Sequence, residues 1–292
     1  GGPQRGNDLG NLGIIHGGAV AVQGETIIDV GPGEQLLERY KGFKTFNAQG
    51  QVVMPGFVDP HTHLVWAGDR AAEFEMRLQG KTYMEILQAG GGILSTVAAT
   101  RAASMNDLLH QTRQRAQNAF YHGTTTAEVK TGYGLTFETE LKQLQAILTL
   151  DQEGPLELVP TFLAAHAVPP EFKGRTDAYV ELICIQMLPD LNTWWQERKV
   201  DRPLPFVDVF CEKGAFNLAQ SRLILETAHQ LGFPTKIHAD EFENLGGASL
   251  AAELGSTSAD HLVKTSSQDI QVLAPTNMVA VSLPATPFGL GE

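Results

Sequence analysis

At 292 residues, with 42% hydrophobic and 18% charged side chains, the chain has the composition of a globular protein with ample material for a core. A formal net charge of −12 and an isoelectric point near 5.2 exclude a nucleic acid or an anionic membrane as partner, because both need a basic face, and leave a small molecule as the natural one. The two cysteines, Cys184 and Cys211, lie far apart without C-x-x-C spacing, which excludes a disulfide framework and a thiolate zinc site and reads as two buried free thiols in a reducing cytosol.

No apolar run approaches the roughly 20 residues of a membrane helix, and the opening GGPQRGNDLG lacks a basic segment followed by an apolar one, so the chain reads as cytoplasmic. It opens in a polar loop without an initiator Met, and the expectation is a fragment. Residues 13–53 carry short strand signals between turn residues: GAVAVQ, the Gly24-Glu25 turn, TIIDVG, KTFNA and QVVM. Such spacing predicts a small antiparallel sheet. After Pro55 the pattern changes to strands at 57–63, 124–130, 156–165, 205–211, 234–238, 257–261 and 277–283. Helical segments near 105–121, 136–152, 175–199, 217–231, 245–254 and 266–274 alternate with them. Alternation of this kind predicts an α/β fold with a parallel sheet and crossover helices. About seven strands precede Glu292, whereas closing a (β/α)8 barrel of the TIM type takes eight, so a final β/α unit is expected to be missing. Residues 73–101 read as a long active-face loop with a short helix over Thr82–Ala89, and Pro284–Glu292 as the loop after the seventh strand.

The chemistry is expected at the strand ends, where barrel enzymes carry it. His61 and His63 stand two apart at the end of the first strand, so both imidazoles point the same way. Later strand runs end in Glu128-Val129-Lys130-Thr131-Gly132-Tyr133, in Ala165-His166, in Asp208-Val209-Phe210-Cys211-Glu212, in His238-Ala239-Asp240-Glu241 and in Asp260-His261. Five of the nine histidines thus fall at predicted strand ends, while His16, His110, His122 and His229 read as surface or capping residues. Histidines converging on a barrel mouth can bind Zn²⁺ or Fe²⁺ through neutral imidazole and leave a position for water, whose pKa falls to near 7. Glu241, three residues beyond His238, is placed to move a proton; a solvated His238–Glu241 loop pair is the plainer alternative.

The runs MPGFVDPHTHLVWAGDR, AEVKTGYGL, PTFLAAHAVPPE, DVFCEKGAF and KIHADEFENLGGASLAAELGSTSADHL resemble the metal-dependent amidohydrolase superfamily and, within it, the imidazolonepropionase family of histidine degradation. The resemblance spans residues 52–262 closely and the flanks loosely. It implies a β/α barrel over residues 55–292, incomplete here, with residues 1–54 contributing to a small β-sandwich domain, and one Zn²⁺ or Fe ion. By the same resemblance His61, His63 and His238 are metal ligands, and Arg70 holds the propanoate carboxylate of the substrate as a planar bidentate cation. Tyr133 and His166 contact the imidazolone ring. Glu241 binds a ring N–H or acts as general base, and His261 assists proton transfer or stabilises the oxyanion. The implied reaction is hydrolysis of the cyclic amide C–N bond of 4-imidazolone-5-propanoate to N-formimidoyl-L-glutamate by metal-activated water. The expected partner is that small molecule, with no nucleic acid and no membrane, and a homodimer is a candidate assembly.

The family's fourth ligand, an Asp ending the eighth strand, has no counterpart here, since Asp269 opens a predicted helix and is read as a cap. On that ground activity of the chain by itself is not expected. Three rivals remain: a dinuclear site bridged by a carboxylated Lys130, a mononuclear enzyme for another cyclic amide or an aminated heterocycle, and an inactive remnant barrel.

Overall fold

The computed structural model describes residues 4–81, 85 and 91–290 and forms two compact units, Gly1–Pro55 and Gly56–Glu292. In the first, β1 (Gly18–Gln23) and β2 (Thr26–Pro32) pair antiparallel across the Gly24-Glu25 turn. KTFNA and QVVM do not become strands, and the sheet of this unit stops at β1 and β2. Helix α1 (Gly33–Arg39), too short to show a helical period, buries Leu36.

The second unit is a parallel sheet in the order β3 (Phe57–Thr62), β4 (Thr124–Lys130), β5 (Glu157–Ala165), β6 (Phe206–Cys211), β7 (Lys236–Ala239), β8 (Ser258–His261) and β9 (Val279–Ser282). The seven strands and their parallel sense are as the alternation predicts. In a flat sheet β3 and β8, five spacings apart, would be separated by about 24 Å. Instead His61 on β3 bonds Asp260 on β8 at 2.7 Å, and Lys236 Nζ on β7 donates to the Pro60 carbonyl on β3 at 2.9 Å. The sheet is therefore curled into a near-closed barrel.

Period-two alternation sorts the strand residues. Ala127 and Val129, Val207 and Val209, Ile237 and Ala239, and Ala259 belong to the apolar cores. Their sequence neighbours Glu128, Lys130, Asp208, Lys236, His238 and Asp260 are also buried, but face one another inside the curl. Covering helices begin on side-chain caps: Ser104 and Asp107 close a capping box on α4 (Met105–Tyr121), and Ser266 and Asp269 on α10 (Ser267–Leu273). The intervening helices are α5 (Phe137–Glu153), α6 (Thr176–Leu182), α7 (Leu188–Glu197), α8 (Leu218–Gln230) and α9 (Gly247–Leu254). A π-helical turn at Ile183–Met187 joins α6 to α7.

The expected long loop at 73–101 is corrected: α2 (Ala71–Leu78) and α3 (Ile93–Ala102) occupy much of it. The buried Glu73 carboxylate accepts from Gly92 N at 2.8 Å and Ser95 Oγ at 3.1 Å, so an acidic side chain from α2 starts α3 and completes its open N-terminus. The short helix expected over Thr82–Ala89 falls, Glu85 apart, outside the described residues. The tail is corrected too, forming α11 (Ala285–Leu290) directly after Pro284, a residue whose fixed φ suits a helix start. Among the described residues no helix is long and apolar enough to cross a membrane.

Candidate active site

Five imidazoles meet at the C-terminal end of the barrel, from β3, the end of β5, β7 and β8. Ring centroids are 4.5 Å apart for His61–His238, 5.0 Å for His61–His261, 5.2 Å for His61–His63 and 4.8 Å for the stacked His63–His166 pair. These are the five strand-end histidines of the sequence reading. His16, His110 and His122 are exposed, with His122 capping α4, and His229 bonds Thr235 Oγ1 at 2.8 Å away from the cluster.

Among the described residues two sets of nitrogens gather within 4.8 Å: His61, His238 and His261, and His63, His166 and His238. His238 belongs to both, and neither holds His61 and His63 together, although both neighbour His238. His63 Nε2 and His238 Nε2 lie 3.3 Å apart, close to the separation of about 3.4 Å that two nitrogens adopt on one tetrahedral ion with bonds of about 2.1 Å.

The electrostatics favour neutral rings at His63, His166, His238 and His261. Burial, and then the neighbouring His166, His61 and His238, hold His63 well below the usual imidazole range. Burial does the same to His238, helped by His61 and Lys130. Burial pushes His166 and His261 down to about 4, in each case against attraction from nearby Asp208. A buried neutral imidazole keeps a lone pair for a cation, and Nδ1 of His63, His238 and His261 is buried without a hydrogen-bond partner among the described residues.

Beneath the rings lies a layer that the sequence reading did not assign. Lys130 Nζ, fully buried, donates to Glu128 Oε1 at 2.6 Å and Asp208 Oδ2 at 2.7 Å and lies 3.5 Å from Asp260 Oδ2. Lys236 Nζ is 3.6 Å from Glu128 and from Asp260. Burial works against the Lys130 charge, but Asp208, Glu128 and Asp260 outweigh it and hold the ammonium above the ordinary lysine range. Burial likewise opposes the Asp260 carboxylate, yet the His61 bond and the charges of Lys130 and Lys236 keep it well below the usual carboxylate range. Three carboxylates against two ammonium groups give the layer a formal charge of −1 on a count of the residues just named, which suits a cation above it. Enclosed among carboxylates, Lys130 is an ion-pair partner, which leaves no room in this arrangement for the carboxylated-lysine bridge. The layer was legible in principle: each of its members interrupts an apolar strand at period two.

The carboxylates also grip the rings. His61 Nδ1 is 2.7 Å from Asp260 Oδ2. His238 Nδ1 is 2.9 Å from Asp208 Oδ2, but off the hydrogen-bond direction, so with a neutral ring the contact is a close approach rather than an aligned bond. Glu241 Oε1 stands 3.5 Å from His261 Nδ1.

The rim is built differently. Tyr133 packs at 5.8 Å from His63 and 5.3 Å from His166, centroid to centroid, and its loop hangs on the buried Glu140. That carboxylate accepts from Gly132 N at 2.8 Å and from Gly134 N and Leu135 N at 2.7 Å. A Cβ on Gly134 would meet Glu140 N at 2.7 Å, so only glycine lets the loop close on its anchor. The Gly132 carbonyl holds His166 Nδ1 at 3.0 Å. Arg70 is exposed and donates through Nε to Thr96 Oγ1 of α3 at 2.9 Å, and its charge acts on the Tyr133 hydroxyl. The structure thus brings His61, His63, His166, His238, His261, Tyr133 and Glu241 together, with Arg70 at the edge.

A model described as "Imidazolonepropionase-like composite domain, bacteria" matches residues 18–40. The chain is 52% identical over 292 residues to imidazolonepropionase of Chloroflexus aggregans and 50% identical over 290 to that of Herpetosiphon aurantiacus. Each match covers 99% of this chain and 68% of the relative. Among solved structures, 5-methylcytosine deaminase from Klebsiella pneumoniae superposes with TM-score 0.61 at 16% identity, covering 91% of this chain and 62% of that one. Guanine deaminase from C. acetobutylicum gives TM-score 0.59 at 13% identity, covering 91% and 62%; at such identities these two share the fold. The chain spans about two thirds of the proteins it matches, and with half its residues identical over that span it belongs to the imidazolonepropionase family of amidohydrolases.

Proposed function

We propose that the protein hydrolyses the cyclic amide of 4-imidazolone-5-propanoate to N-formimidoyl-L-glutamate with one Zn²⁺ or Fe ion held by His61, His63 and His238. The observation that carries this is the His63–His238 nitrogen pair at 3.3 Å over a buried layer of net negative formal charge, in a chain half identical to imidazolonepropionases. When bound, the ion supplies Lewis acidity, lowering the pKa of a water toward 7 and polarising a carbonyl.

The chain's own groups do the rest. Arg70 offers a planar guanidinium to the propanoate carboxylate at the rim. Tyr133 and His166, side by side, receive the flat ring. Glu241 takes the proton of the attacking water, and His261, in contact with it, returns a proton to the departing ring nitrogen as the C–N bond breaks. Two buried free cysteines agree with a cytoplasmic setting. Residues 1–54 we read as part of a small β-sandwich, on the strength of the β1–β2 pair.

The test is turnover of the purified, metal-loaded full-length protein that carries this chain on 4-imidazolone-5-propanoate beside a hydantoin and an aminated pyrimidine. Preferential opening of the imidazolone is expected; faster hydantoin cleavage or deamination would overturn the substrate assignment.

A further inference from the structure

We propose that Asp260 and Lys130 are positioning residues that fix His61 with its proton on Nδ1 and its lone pair on Nε2 before any ion arrives. The inference rests on the metal-site reading above and adds residues to it.

The geometry is directional. Asp260 Oδ1 accepts from Ser258 Oγ at 2.6 Å, while Oδ2 faces His61 Nδ1 at 2.7 Å and the ammonium groups of Lys130 and Lys236 at 3.5 and 3.6 Å. The other hydrogen-bond and ion-pair partners of the carboxylate, Ser258, Lys130 and Lys236, are donors, and an ionised Oδ2 can only accept. The imidazole nitrogen beside it must carry the hydrogen, which leaves Nε2 as the lone-pair atom. Side chains of β3 and β8 make this contact across the barrel, so the ring is oriented by strand interiors rather than by a loop.

Lys130 extends the arrangement. Its ammonium bonds Asp208 at 2.7 Å as well, and Asp208 lies against His238 Nδ1, so one cation ties the carboxylates under two imidazoles. A third bond, to Glu128 at 2.6 Å, uses the remaining donor direction of the ammonium. Orienting partners of this kind typically change metal affinity 10–100-fold when removed.

The experiment has two readouts. Imidazole ¹⁵N shifts of the chelator-treated protein at neutral pH report which His61 nitrogen is protonated. Competition against a chelator with Zn²⁺ alone gives Kd for the protein and for Asp260→Asn, with circular dichroism as the check on folding. The expected results are an Nδ1–H tautomer at His61 in the parent, its loss or mixing in Asp260→Asn, and Zn²⁺ binding weakened about 10–100-fold. A purely structural Asp260 would lower stability and leave tautomer and Kd alone. An Nε2–H tautomer in the parent, or an Asp260→Asn Kd within twofold of the parent, overturns the proposal. If Asp260→Asn does not fold, the parent spectrum decides. If the parent binds no Zn²⁺ the functional reading fails, while the tautomer still answers the positioning question.

Discussion

Lys130 and Arg70 are two cations at one barrel mouth, and they are held in opposite ways. Lys130 has no exposed surface and is enclosed by Glu128, Asp208 and Asp260. Arg70 is exposed and steadied through Nε by the Thr96 hydroxyl. The floor is set by strand interiors, where alternation forces polar side chains to face each other and each charge must be paired. The rim is set by loops and by α3, where a guanidinium can keep hydrogen-bonding capacity for a ligand. On the proposed reading the floor governs stability and the shape of the histidine cluster, and the rim governs affinity for substrate.

The largest break in this contrast is Lys130→Met, which leaves buried carboxylates unpaired and is expected to destabilise the protein by about 3–5 kcal/mol in denaturant unfolding. A loss under about 1 kcal/mol, the level of an exposed ion pair, would mean that the floor is not held by its charges. Next is pH. His166 and His261 are held to about 4 in the fold against 6.5 in a free imidazole. Between those values the unfolded chain binds more protons than the native one, so stability rises with pH through that window and levels off above it. Metal-free protein is expected to lose stability as pH falls from about 6.5 to 4, and a flat profile there contradicts the neutral cluster. Smaller still is Arg70→Ala, expected to raise KM about 10–100-fold, the worth of a charged hydrogen bond, with kcat changed little. An unchanged KM would remove Arg70 from the carboxylate role.

The same contrast explains what was legible in the sequence. The seven barrel strands, their parallel sense and the five convergent histidines follow from alternation and from position at strand ends, and the structure reproduces them. The floor is harder to read, because period two marks Lys130 or Asp208 as a polar interruption of one strand but does not name the partner that the curl of the sheet supplies. Nor does position at strand ends show that the rings divide, among the described residues, into two nitrogen sets sharing His238. Glu73 and Glu140 escaped for a related reason: each is a carboxylate whose role is to collect backbone N–H groups from a loop elsewhere, and helical period places such a residue without naming its target. Helix α3 carries no side-chain cap of its own, and its start depends on Glu73.

The most direct test of the central claim, that these histidines form one metal centre, is the ion content of the protein and of His238→Ala after equilibration with Zn²⁺ and desalting. His238 belongs to both nitrogen sets, so about one ion per chain is expected in the parent and essentially none in the variant. Full occupancy in His238→Ala would contradict the account.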